Sequence, residues 1–146
     1  MTASLRPSRL AALAAAFALI ALSACSNMSN AAGGGTLKLS GDQEVPPVAT
    51  SASGQGTITV APDGAVSGSV TTSGMDGTMA HIHMAGAGKN GPVIVPLVKS
   101  GDGAWSVPAG AKLTPEQMKA YQQGDLYVNV HTEAHKGGEV RAQLHP

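Results

Sequence analysis

The sequence predicts an all-β domain, an antiparallel Greek-key β-sandwich or small barrel with one short helix near residues 115–123. Three observations carry that expectation. Short segments of alternating apolar and polar residues recur along the chain after its first third, as in Gly56–Val60, Val66–Thr71 and Leu126–Thr132. Gly, Pro, Asp and Ser clusters punctuate them at short intervals. Only one stretch, beginning at Thr114-Pro115, carries helix start and stop signals.

The elements follow in chain order. Arg6 and Arg9 precede an apolar run from Leu10 to Leu22, too short to span a bilayer comfortably, and Leu22-Ser23-Ala24-Cys25 follows it. The run reads as a signal peptide over residues 1–24. The small residues before Cys25 resemble a bacterial lipobox, which implies a lipidated Cys25 as the mature N-terminus. Ser26 at the next position, by resemblance to lipoproteins of two-membrane bacteria, implies the outer membrane. Residues 25–36, ending in Gly33-Gly34-Gly35, read as a flexible tether.

Residues 37–146 then form the domain. Leu37-Lys38-Leu39 opens the first strand, and Gln43-Glu44-Val45-Pro46-Pro47 is irregular or an edge, because proline has no N–H to give a ladder. Gly56–Val60, the turn Pro62-Asp63-Gly64 and Val66–Thr71 make a hairpin with Ile58, Val60, Val66 and Val70 inward. After the break at Gly74–Gly77 comes a strand, Met79-Ala80-His81-Ile82-His83-Met84. A Gly-rich loop at Ala85–Gly91 leads to Val93–Val98, apolar on both phases and expected to be covered on both sides, with Pro96 forcing an edge or bulge. Trp105 and Val107 mark a short strand. Thr114 as cap, Pro115 at the first position, Gln117 completing a capping box and Gly124 at the end define the helix, with Met118 and Tyr121 facing the domain. The last pair, Leu126–Thr132 and Glu139–Leu144, is joined through Gly137-Gly138.

Composition narrows the chemistry. The chain from Cys25 onward holds 122 residues, with seven basic against nine acidic side chains and no basic patch, so it offers nothing to nucleic acid. Cys25 is the only cysteine, which excludes an intramolecular disulfide, a Cys-ligated metal in the domain and a blue-copper centre. No Ser or Cys stands in a nucleophile motif. Glu44, Glu133 and Glu139 are scattered, so the sequence supports no catalytic apparatus.

Concentrated chemistry lies in the histidines. Side chains at i and i+2 of a strand leave the same face, so His81 and His83 point together. In Leu126–His131, the residues Tyr127, Asn129 and His131 share one face and Leu126, Val128 and Val130 the other. If the two strands are neighbours, His81, His83 and His131 converge, and three neutral imidazoles suit copper, zinc or nickel. Met84 and His135 are further candidate ligands, and Asn129 and Glu139 are expected to orient the imidazoles. Met75 and Met79 read as fillers of core gaps, and His145 as solvent-exposed. The competing reading is that these histidines merely decorate the wet face of a sheet.

Leu39-Ser40-Gly41-Asp42-Gln43-Glu44-Val45-Pro46-Pro47, Ala80-His81-Ile82-His83, Tyr127–Thr132 and Gly137–Leu144 resemble, in order, the motifs of the CHRD (chordin-type) domain, across roughly residues 37–145. The chain departs from the commoner form where Met84-Ala85-Gly86 replaces a Gly-Pro. The resemblance implies a β-rich fold in a bacterial single-domain lipoprotein. A weaker similarity is to copper–zinc superoxide dismutase, although its bridging-histidine loop and disulfide have no counterpart. Together these readings predict an outer-membrane-anchored, non-catalytic protein of the cell envelope that binds copper, with zinc as the alternative ion. A protein–protein or matrix interaction module without metal is the second reading. A copper-dependent, dismutase-like oxidoreductase is the third.

Overall fold

A computed structural model describes Met1 and residues 34–146. The expected signal peptide and most of the tether, Cys25 included, lie outside the described residues.

Nine antiparallel strands form one sheet that curls into a nearly closed barrel, the second of the two architectures expected. The strands are β1 (Thr36–Ser40), β2 (Ser53–Val60), β3 (Val66–Ser73), β4 (Met79–Met84), β5 (Val93–Pro96), β6 (Val98–Gly101), β7 (Ala104–Ser106), β8 (Leu126–His131) and β9 (Val140–Leu144), in the sheet order β5-β4-β8-β9-β1-β2-β3-β7-β6. The hairpin β2–β3 turns where Pro62-Asp63-Gly64 requires it. Gly64 takes φ +88°, and the Asp63 carboxylate accepts a hydrogen bond from the Ala65 N–H. Ile58, Val60, Val66 and Val70 point into the barrel and are buried. Helix α1 (Pro115–Gln122) forms with both arms of its capping box, Thr114 to Gln117 and back, and buries Tyr121.

The apolar run Val93–Val98 departs from expectation. Both faces are not covered: Val93 and Val98 are 47% and 54% exposed. The run is also two strands rather than one, β5 at one edge of the sheet and β6 at the other. Pro96 has no N–H with which to extend β5. Beyond it the Leu97 N–H donates to the Ala80 carbonyl at 2.9 Å, and the chain crosses to the opposite edge. The barrel seam is therefore bridged by the chain itself, and buried Leu97 and Val95 seal it from within.

Strands β8 and β9 are buried on both faces, apart from a partly exposed Gln143. Their apolar phase, which includes Val128, Val130 and Val140, lines the core. Their polar phase is roofed by loops. Arg141 donates to the Lys89 and Gly86 carbonyls, Gln143 to the Ala85 carbonyl, and Asn129 to the Gly137 carbonyl. That roofed polar layer holds the histidines.

Candidate metal centre

Strand β4 lies directly against β8, in a register that sets Met79 opposite His131, His81 opposite Asn129 and His83 opposite Tyr127. Opposed residues of an antiparallel pair project to one face. The two-residue spacing of the histidines therefore delivers all three rings to one side of the sheet. Ala80 and Ile82, on the other side, are buried in the core and hold β4 in place.

The rings are close. Centroid separations are 4.9 Å for His81–His131, 5.5 Å for His81–His83 and 6.1 Å for His83–His131. One nitrogen from each can be chosen so that all three lie within 4.8 Å of one another. His83 and His131 are buried, and His81 is partly exposed, so the cluster opens to solvent along His81.

Backbone carbonyls set the tautomers. His83 Nδ1 is 2.9 Å from the Gly91 carbonyl, and His131 Nδ1 is 2.9 Å from the Lys136 carbonyl. A carbonyl can only accept, so both Nδ1 atoms carry the proton and both Nε2 atoms present a lone pair. His131 Nε2 accepts from His81 Nδ1 at 3.0 Å. His83 Nε2 is buried and makes no well-formed hydrogen bond, with the Asn129 side chain beside it. An orphaned buried acceptor costs about 1–3 kcal/mol, and a metal ion among the rings would satisfy it.

Electrostatics keep the rings neutral. Burial pushes the His81 imidazole down to about 4, helped by the positive charge His131 and His83 would carry. Burial also lowers His83, against the opposing hydrogen bond to Gly91, and lowers His131 against that to Lys136. Neutral imidazoles are the form that ligates a metal, and His131 Nε2 would exchange its hydrogen bond from His81 for the ion.

Further residues complete the surroundings. The Tyr127 ring stacks on His83, with centroids 4.8 Å apart and planes within 3° of parallel, and the Arg141 guanidinium lies 3.4 Å above the other side of the same ring. Glu44 is buried beside Arg141 and Asn129, and burial pushes its carboxyl up to about 7 despite the favourable guanidinium. Gly138, at φ +127°, allows this approach, since a Cβ there would collide with the Glu44 carboxyl and the Asn129 amide.

The other residues singled out in the sequence fall as follows. Asn129 sits in the layer across from His81, with its Oδ1 buried and unpartnered. Glu139 accepts hydrogen bonds from Thr50 and Thr132, both at 2.7 Å, so it braces the loop that carries Lys136 and touches no ligand ring. Burial works upward on Glu139, but those two hydrogen bonds together with the neighbouring His135 outweigh it and hold the carboxyl below its ordinary value. His135 lies near Glu139 and outside the nitrogen cluster. Met84 packs against the core. Met75 does so too, whereas Met79 does not: it is 48% exposed, on the histidine face. Tyr127 and Arg141 were not singled out as parts of the site, and Glu44 only as one of three scattered carboxylates. Strand parity was a signal for the first two, because Tyr127 shares a face with His131 and Arg141 shares the polar phase of its strand with Gln143.

Among the described residues, the three histidines are therefore a cluster that could bind a metal ion. No curated protein and no solved structure matches the chain. The CHRD domain profile matches residues 35–144, and across that whole span the fold just described belongs to one recognised domain. The chain is a member of the CHRD domain family.

Proposed function

We propose that this protein is a non-catalytic metal-binding domain of the cell envelope, tethered to the outer membrane through a lipidated Cys25. His81, His83 and His131 hold one transition-metal ion, and copper is the ion the surroundings favour. The carrying observation is the buried Nε2 of His83, which makes no hydrogen bond, in a three-histidine cluster where backbone carbonyls hold the proton on Nδ1 of His83 and His131. Carbonyls that orient ligating rings through their far nitrogen are a recurring feature of metal sites. Imidazole nitrogen suits Cu and Zn alike; a thioether on the same strand face, as at Met79, tips the choice toward Cu(I). The family name does not supply this reading, which rests on the ring geometry.

The test is titration of residues 34–146 with Cu(I), Cu(II) and Zn(II), beside His81→Ala and His83→Ala. Stoichiometric binding abolished in both variants supports the site. Weak binding indifferent to them leaves an interaction module. In the full chain, Cys25→Ser should move the protein from the membrane fraction to the soluble one.

A further inference from the structure

Resting on the histidine site, we propose that Met79 is its fourth ligand and makes the centre selective for Cu(I). Three observations converge on this residue. Met79 shares its strand face with His81 and His83, two residues before the first of them. It stands directly opposite His131 across the β4–β8 ladder, where Cβ atoms lie about 4.5–5.5 Å apart, within reach of a flexible thioether. Exposure also rises along that face, from 8% at His83 through partly exposed His81 to 48% at Met79. Along β4 the histidine face is therefore most open at its Met79 end, although His131 across the ladder is buried.

Chemistry selects the ion. Three imidazoles alone accept Zn(II), Cu(II) or Cu(I) with little discrimination of type, whereas thioether sulfur is a soft donor that adds affinity for Cu(I) and almost none for Zn(II). Met84 cannot take this role from its place in the strand, because it packs against the core on the opposite face. An exposed methionine at the mouth also needs no repacking of the buried layer when an ion enters.

Met79→Leu, Met84→Leu and His83→Ala in the full chain test the assignment, through Cu(I) affinity by competition with a chromophoric chelator, Zn(II) affinity, and copper-edge X-ray absorption. The expected result is a sulfur shell in the wild type that disappears in Met79→Leu and persists in Met84→Leu. Cu(I) affinity in Met79→Leu should fall by about tenfold or more, with Zn(II) affinity within about twofold of wild type. A sulfur shell surviving Met79→Leu, or lost in Met84→Leu, overturns the assignment. Histidine-dependent metal binding with no sulfur in the wild type overturns it while leaving the three-histidine site intact. Failure of the wild type to bind either ion overturns both.

Discussion

Acid should release a metal ion loaded onto His81, His83 and His131 later than from an ordinary cluster of histidines. The perturbation is a drop from pH 7 to pH 5. An unperturbed imidazole, with a pKa of about 6.5, is about 97% protonated at pH 5, and competition from that proton weakens a ligand about 25-fold relative to pH 7. His81, held down to about 4 by burial and by its two neighbours, is only about 10% protonated at pH 5, and its loss is about 1.1-fold. His83 and His131 are lowered in the same direction and add to the difference. Zn(II) affinity measured at both values, with the imidazole carbon-bound protons followed by NMR in the metal-free form, gives both quantities. His81 titrating near 6.5, together with a loss of 25-fold or more, would refute the reasoning. The same shift acts on stability. The unfolded chain takes up protons below about 6.5 and the fold resists until about 4, so the metal-free domain should lose stability as pH falls through that window. The solvent-open side of His81 limits this to on the order of 1–2 kcal/mol.

Glu44 carries the opposite sign. Its folded carboxyl keeps the proton to about pH 7 while the unfolded one loses it near 4.5, so its contribution is lost as pH rises through that interval. Glu44→Gln should gain about 1–3 kcal/mol over wild type between pH 4.5 and pH 8 in urea unfolding; a difference that does not change with pH would show that the carboxyl is already ionised. Gly138→Ala forces a Cβ onto the Glu44 carboxyl and the Asn129 amide at an unfavourable φ, and should cost about 2–4 kcal/mol. It should also weaken metal binding, through the loop whose Lys136 carbonyl orients His131; full stability and affinity in that variant would contradict the packing described.

Much of the fold was legible in the residues. Alternation at Val66–Val70 and Val140–Leu144, the turn at Pro62-Asp63-Gly64 and the capping box at Thr114 are local rules, and each element formed where its own residues specify it. The two-residue spacing of His81 and His83 likewise determined that these rings leave one face. Strand order is not local, and it decided the rest. That β4 lies beside β8, in a register bringing His131 to the pair, depends on contacts 50 residues apart along the chain. The burial that makes those rings neutral comes from loops 85–92 and 132–138 folding over the polar face, which no periodicity within a strand encodes. Met79 shows the difference most plainly. Its residue type reads as core filler in the sequence, but it lies on the histidine face and stays 48% exposed because the loops that bury His83 and His131 do not cover it.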